Sequence, residues 1–312
     1  MQPPATDPWL QQRRLVPTGR RSALYKRPAS RLHDPFARPA PLPSRFRLLT
    51  FNIQSGIRTQ RYREFVTRGW RQVLHDEGRL PNLDRIGDLL QDYHVVALQE
   101  VDAGSLRSGF TNQVAWLARR SGQSFWYAQR NRRLGRLAQH GNGLLATTAP
   151  LELVDHPLPT TLVPGRGAIV ARFAAEDGPP LTVICLHLSL GARSRARQLE
   201  FVAAEVRASE RAVVVGDLNC SAQTLLSGTA LAALPLTPAC SAPTWPSWRP
   251  RRHLDHVLVT PGVRVLAAEP LECAYSDHLP LSVELALEGH GAADDAVYAR
   301  TTGEGGGSPW SN

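Results

Sequence analysis

The sequence predicts an α/β protein whose core is two β-sheets packed face to face, with helices on the outside. Three observations point there. Eight short apolar runs of strand length recur along the chain, rich in β-branched or aromatic residues. Only a few stretches carry a helical period. Strands therefore outnumber helices and do not alternate with them regularly, which argues against a single parallel, doubly wound sheet.

The first run is FRLLTFNI (46–53). A helical pattern follows, with Leu83, Ile86 and Leu90 spaced three and four apart, after Pro81 and Asn82, which suit a helix start. HVVALQE (94–100) is a second buried strand and ends in an acid. GNGLLAT (141–147), AIVARF (168–173) and LTVICLHL (181–188) continue the series. A helix over 194–208, with Leu199, Val202 and Val206 on its apolar face, leads to AVVVGDLN (212–219). HLDHVLVT (253–260) and LPLSVEL (279–285) complete it.

With 312 residues, 42% of them hydrophobic and 20% charged, the chain is too apolar to be wholly disordered. Residues 1–44 mix Pro, Arg, Ser and Ala without a sustained period and read as a disordered basic arm. Residues 45–288 read as one catalytic domain, and 289–312 as a flexible tail. The formal net charge of +9 first suggests a polyanionic partner. Its distribution weakens that inference: the arm holds eight basic residues against two acidic, the tail one against three, and the domain is left with +5. Lys26 is the only lysine. Arginine's planar fork grips phosphate bidentately, although genomic codon bias would leave the same composition.

Four cysteines without paired spacing (Cys185, Cys220, Cys240, Cys273) read as reduced thiols. The first residues lack the apolar stretch of a signal peptide, and no window approaches ~18 apolar residues. The expectation is a cytoplasmic, monomeric protein without a transmembrane segment.

Polar residues sit at the ends of the apolar runs. Asn52 follows Leu48 to Phe51, Glu100 closes HVVALQE, His187 closes LTVICLH, and Asp217 with Asn219 closes AVVVGDLN. Asp255 lies within HLDHVLV, and Asp277 with His278 precedes LPLSVEL. Converging half-solvated carboxylates repel unless a cation sits among them. Oxygen donors from Glu, Asp and Asn suit Mg²⁺ or Mn²⁺. Singly, each residue also reads as an Asx turn, a helix cap, a satisfied core histidine or a surface acid, so the signal lies in their joint order.

That order, with GDLN at 216–219 and SDHLP at 276–280, resembles the endonuclease/exonuclease/phosphatase superfamily over about 45–287. The resemblance implies a four-layer α/β sandwich and divalent-metal-dependent phosphoester hydrolysis. It implies Glu100 as the main metal ligand, with Asn52 and Asp277 beside it. Asp217 matches the residue that orients or deprotonates the attacking water, and Asn219 the one that binds the phosphate in the transition state. His278 matches the histidine that binds the scissile phosphate or acts as acid or base, and Asp255 the carboxylate that fixes its tautomer. A histidine at the position of His187 is usual in the deoxyribonuclease, sphingomyelinase and inositol phosphatase branches and weighs against abasic-site repair. Gln54 stands where the repair enzymes have an acid.

Substrate contacts are expected from Asn142, from Arg107 and Asn112 on the loop after Glu100, and from Arg251 and Arg252 beside Trp245 and Trp248. Trp245 reads first as a cap on the core, in a loop stiffened by proline. Arg132, Arg133 and Arg136 are further candidates, whereas the arginines of 58–72 read as a solvated helix face around Phe65, Val66 and Trp70. The expected activity is Mg²⁺- or Mn²⁺-dependent phosphodiester hydrolysis, with DNA or RNA as the leading substrate. An inositol-phosphate phosphatase, a sphingomyelinase-like phospholipase and a catalytically dead binding scaffold are the alternatives.

Overall fold

A computed structural model describes residues 27–28, 39–57, 78–134, 138–160 and 165–288. The tail, the 58–72 cluster, Arg136 and most of the expected arm lie outside the described residues. In chain order the strands are β1 (Arg27–Pro28), β2 (Arg45–Asn52), β3 (Val95–Val101), β4 (Phe125–Ala128), β5 (Arg132–Leu134), β6 (Ala138–Ala146) and β7 (Glu152–Pro157). They continue as β8 (Gly167–Phe173), β9 (Leu181–His187), β10 (Arg211–Asp217), β11 (Thr237–Pro238), β12 (Asp255–Val259), β13 (Val263–Pro270) and β14 (Leu281–Leu287). The helices are α1 (Arg79–Leu89), α2 (Gln113–Ser121), α3 (Ala192–Arg207) and α4 (Ala222–Ser227).

The strands form two mixed sheets. One runs β1-β7-β8-β9-β10-β12-β11, and the other β13-β14-β2-β3-β6-β4 with β5 paired to β6. Each sheet has one parallel pair, β9/β10 and β2/β3, and antiparallel neighbours around it. A parallel pair needs a crossover. Helix α3 lies in the connection from β9 to β10 and α1 in the connection from β2 to β3. Leu48, Val95 and Leu144 of one sheet and Ile169, Val183, Cys185, Val213 and Val257 of the other fill the space between them. The outer face of one sheet is covered by Leu199, Val202 and Val206 of α3, and that of the other by Leu83 and Ile86 of α1 with Val114 and Leu117 of α2. The result is a four-layer α/β sandwich, the class the sequence predicts. Burial pushes the Cys185 thiol up to about 12, so it is an inert part of this core. No helix among the described residues is long and apolar enough to cross a membrane.

Several local expectations change. Helix α1 begins at Arg79, so Pro81 sits in its first turn, where a missing N–H goes unnoticed. Asn82 is not its cap: buried, it donates from Nδ2 to Gly56 O (3.1 Å) and Tyr275 O (2.8 Å), joining two loops beside the site. The side-chain oxygen of Asn112, a residue expected to contact substrate, caps α2, accepting from the Val114 and Ala115 N–H groups at 3.1 and 3.2 Å. The packed unit also reaches back into residues expected to belong to the arm. Leu42 is fully buried in the inter-sheet core, and its backbone bonds to Ala174 O (2.8 Å) and the Glu176 N–H (3.2 Å).

Leu42→Ala should therefore destabilise the protein by about 2–5 kcal/mol, read as a lower urea midpoint with an unchanged slope. A value near zero would show that residue 42 lies outside the core.

Candidate active site

The two parallel pairs run toward the same end of the sandwich, where Asn52 closes β2, His187 closes β9 and Asp217 closes β10, and Glu100 stands one residue before the end of β3. In the first sheet the register lines up three of the expected residues, with Asp217 opposite His187 on one side and Asp255 on the other. Strand β10 approaches β9 too closely for a side chain just before this point: a Cβ on Gly216 would lie 1.9 Å from Leu186 O. Across the sandwich, a register irregularity between Leu98 and Val101 leaves Glu100 at φ 55°. Such a break in pairing re-aims a side chain at functional ends of sheets.

Asp217 is the hub. Its Oδ1 accepts from the Asn219 N–H (3.0 Å), and its Oδ2 accepts from Asn52 Nδ2 of the opposite sheet (3.1 Å). The same Oδ2 lies 3.4 Å from His187 Nε2 and 3.9 Å from His278 Nε2. Burial lifts the Asp217 carboxyl to about 7; Asp255 adds to the rise, while His278, Asn52 and the Asn219 N–H oppose it. Asn219 itself, at φ 53°, ties its Nδ2 to Leu188 O at 2.8 Å.

His278 Nδ1 lies 2.8 Å from Asp255 Oδ2. The Thr244 hydroxyl donates to the same oxygen and holds it in place. Desolvation alone would lower the His278 pKa. The Asp255 contact, reinforced by the charges of Asp217 and Asp277, outweighs it and carries the imidazole up to about 10. Asp255 Oδ1 is buried without a hydrogen-bond partner.

Glu100 is raised above its ordinary range by burial and then by the charge of Asp277, with His278, Arg166 and Asn52 partly offsetting both. A carboxylate in that position gains most from a cation. Glu100, Asp277 and the Asn52 amide could offer oxygen donors of the kind a hard divalent ion takes. Asp217, Asp255 and His278 also have ligand atoms within 4.8 Å of one another. In that group, however, Asp255 Oδ2 and His278 Nδ1 already share a proton, so the oxygen set fits better.

The rim residues divide. Both Nδ2 protons of Asn142 are taken, by Gln129 Oε1 (2.9 Å) and Gly167 O (2.8 Å), so that amide nitrogen has none left for a substrate. Arg251 and Arg252 are exposed, and the Arg252 guanidinium lies over the Trp245 ring at 5.6 Å. Trp245 Nε1 points at Asp277 Oδ2 from 3.5 Å, which sets this loop against the oxygen donors. Arg107 lies in the short turn Leu106–Ser108, and its side chain is outside the described residues. Arg132 and Arg133 belong to the β5–β6 hairpin opposite His140 and Gln139. Arg166, just before β8, carried no signal in the sequence, yet its Nη1 lies 2.9 Å from His187 Nδ1. Thr244 was equally silent; its place beside the Trp245 loop is the one clue that pointed near it.

A histidine–aspartate pair beside oxygen donors for a cation suits metal-assisted phosphoester hydrolysis. Residues 49–278 match the model of the Endonuclease/Exonuclease/phosphatase family, and the chain belongs to that family of phosphoester hydrolases. Similar solved structures include a family protein from Beutenbergia cavernae, with TM-score 0.63, 20% identity, and 78% of this chain and 72% of that one covered. A mannosyl-6-phosphatase from Bacteroides thetaiotaomicron is similar at TM-score 0.58 and 17% identity, with 78% and 100% covered. The 2′,3′-cyclic phosphatase ANGEL2 is similar at 0.55 and 16%, with 77% and 95% covered. No curated protein matches the chain.

The raised Asp217 carboxyl has a consequence for stability. Its folded pKa, about 7, exceeds the ordinary 3.8, so the folded state holds this proton longer than the unfolded one. The metal-free protein should lose stability as pH rises from about 4 to about 7. Asp217→Asn should remove that slope and stabilise the metal-free protein at pH 8 by on the order of 2 kcal/mol, measured by denaturant unfolding in EDTA. A destabilised variant at pH 8 would contradict the raised carboxyl.

Proposed function

We propose that the protein is a divalent-metal-dependent phosphodiesterase, with Mg²⁺ or Mn²⁺ as cofactor and nucleic acid as its leading substrate. The observation that carries this reading is the pairing of a base and an acid at one carboxylate oxygen: Asp217, raised to about 7, stands beside His278, raised to about 10. Glu100, Asn52 and Asp277 would hold the metal, which neutralises charge on the non-bridging phosphate oxygens when bound. Asp217 takes a proton from the attacking water. His278 stays cationic near neutral pH because Asp255 holds its Nδ1, so it can bind the phosphate or supply a proton to the leaving oxygen, as a diester's alkoxide requires. Asn219, tied to Leu188 and Asp217, presents its amide to the reacting phosphate.

Nucleic acid is favoured by the rim. Arg251 and Arg252 are exposed, and Arg252 is stacked on an indole that points at Asp277, so a base or sugar and a flanking phosphate have partners beside the reacting one. A small phosphorylated or cyclic phosphate substrate is the second reading, because the similar folds include a mannosyl-6-phosphatase and a 2′,3′-cyclic phosphatase.

Purified protein with Mg²⁺ or Mn²⁺ should hydrolyse bis-p-nitrophenyl phosphate and nick plasmid DNA or RNA, and EDTA should abolish both. His278→Ala should lower kcat/KM about 100- to 10,000-fold. Activity should rise as pH passes about 7, where Asp217 loses its proton, and fall toward about 10, where His278 loses its own. Turnover of nucleic acid should drop steeply with salt, whereas a small-substrate enzyme would not respond. Absence of metal-dependent turnover on every phosphoester, inositol phosphates included, would overturn the enzymatic reading.

A further inference from the structure

Two histidines stand beside Asp217, and groups of opposite character anchor them. His278 is held by a carboxylate, whereas His187 is held by a guanidinium, with Arg166 Nη1 2.9 Å from its Nδ1. A guanidinium has only donors and stays protonated in proteins. The proton in this contact therefore belongs to Arg166, and His187 Nδ1 must offer its lone pair. A doubly protonated ring would set one N–H against another. The single ring proton is left on Nε2, which faces Asp217 Oδ2 at 3.4 Å.

Arg166 is itself held in place. The Leu158 N–H donates to Arg166 O at 2.9 Å. Asn142 Nδ2 donates to Gly167 O (2.8 Å) and Gln129 Nε2 to Ala168 O (3.0 Å), pinning the start of β8 directly after the arginine. A Cβ on Gly167 would lie 2.2 Å from Asn131 Oδ1 and 2.6 Å from the Gln129 amide, so a larger residue would have to displace the side chains of this polar bridge. The asparagine expected to touch substrate thus serves the strand that carries Arg166.

We propose that Arg166 is a positioning residue that fixes His187 as the neutral Nε2–H tautomer, so that His187 works as a fixed hydrogen-bond donor and not as a general acid or base. This deepens the phosphodiesterase reading and rests on it for its kinetic consequence. His187 Nε2–H and Asn52 Nδ2–H together orient Asp217 Oδ2 from the two sheets. Of the two histidines, His278 alone exchanges a proton during turnover.

The first test needs no substrate. In ¹⁵N-labelled protein, with the His187 signals identified by their loss in His187→Gln, Nδ1 should carry the shift of a bare ring nitrogen and Nε2 that of a protonated one at pH 7. Arg166→Met should change this pattern, and Arg166→Lys, which keeps a donor, should restore it at least in part. An imidazolium or an Nδ1–H tautomer in the wild type, or an unchanged pattern in a folded Arg166→Met protein, would overturn the proposal. In the kinetic arm, His187→Gln keeps an N–H donor but cannot carry a proton. It should stay within about tenfold of wild type, while His187→Ala falls about a hundredfold. A glutamine variant as impaired as the alanine one, with both folded by thermal unfolding, would show that His187 transfers a proton. If the wild type hydrolyses no phosphoester, the functional reading fails, and the tautomer measurement still decides the role of Arg166.

Discussion

A buried carboxylate shared between two sheets is the constraint on which the rest of this site depends. Asp217 is almost wholly removed from solvent, and an ion there loses hydration that only protein donors can replace. Its donors come from β2 in the opposite sheet, from β9 beside it and from the backbone two residues on, while His278 stands just beyond contact. The protein replaces the lost hydration only in part, and the carboxyl is left raised to about 7. That shortfall gives the site a base able to work near neutrality.

The sandwich supplies these donors through a repeated device. Each sheet holds one parallel pair with a helix in its connection, and each pair carries two polar residues at or next to its end, on the same side of the molecule. Register makes the arrangement strict. Sliding β10 by one residue against β9 would bring Gly216 opposite His187 and turn Asp217 to the other face, because side chains alternate along a strand. Gly216 and the positive φ of Glu100 mark where backbone regularity gives way beside the carboxylates.

Buried strands were legible in the sequence because both of their faces are covered. The runs at 94–100, 181–188 and 212–219 are almost continuously apolar and correspond to β3, β9 and β10. Edge and hairpin strands were not. Strand β13 at the end of its sheet is mostly exposed or half-exposed, and β7 alternates, so neither forms an apolar run. Helix α2 escaped notice because its nine residues are short for a period to emerge. The arm boundary was set by composition, which cannot register a single leucine reaching into the inter-sheet core.

By itself the sequence determined the chemical kinds present and their order: carboxylates, amides and histidines closing apolar strands, in a pattern that names the family. This is possible because a strand's end lies next to its apolar run in the chain, so local pattern suffices to locate it. Only the tertiary structure decided which side chains share a proton. Arg166 and His187 are 21 residues apart, Asn52 and Asp217 are 165 apart, and nothing local to any of them signals the other. Hydrogen bonding and charge interaction act over a few ångströms of space, and in this protein those ångströms are crossed by folding alone.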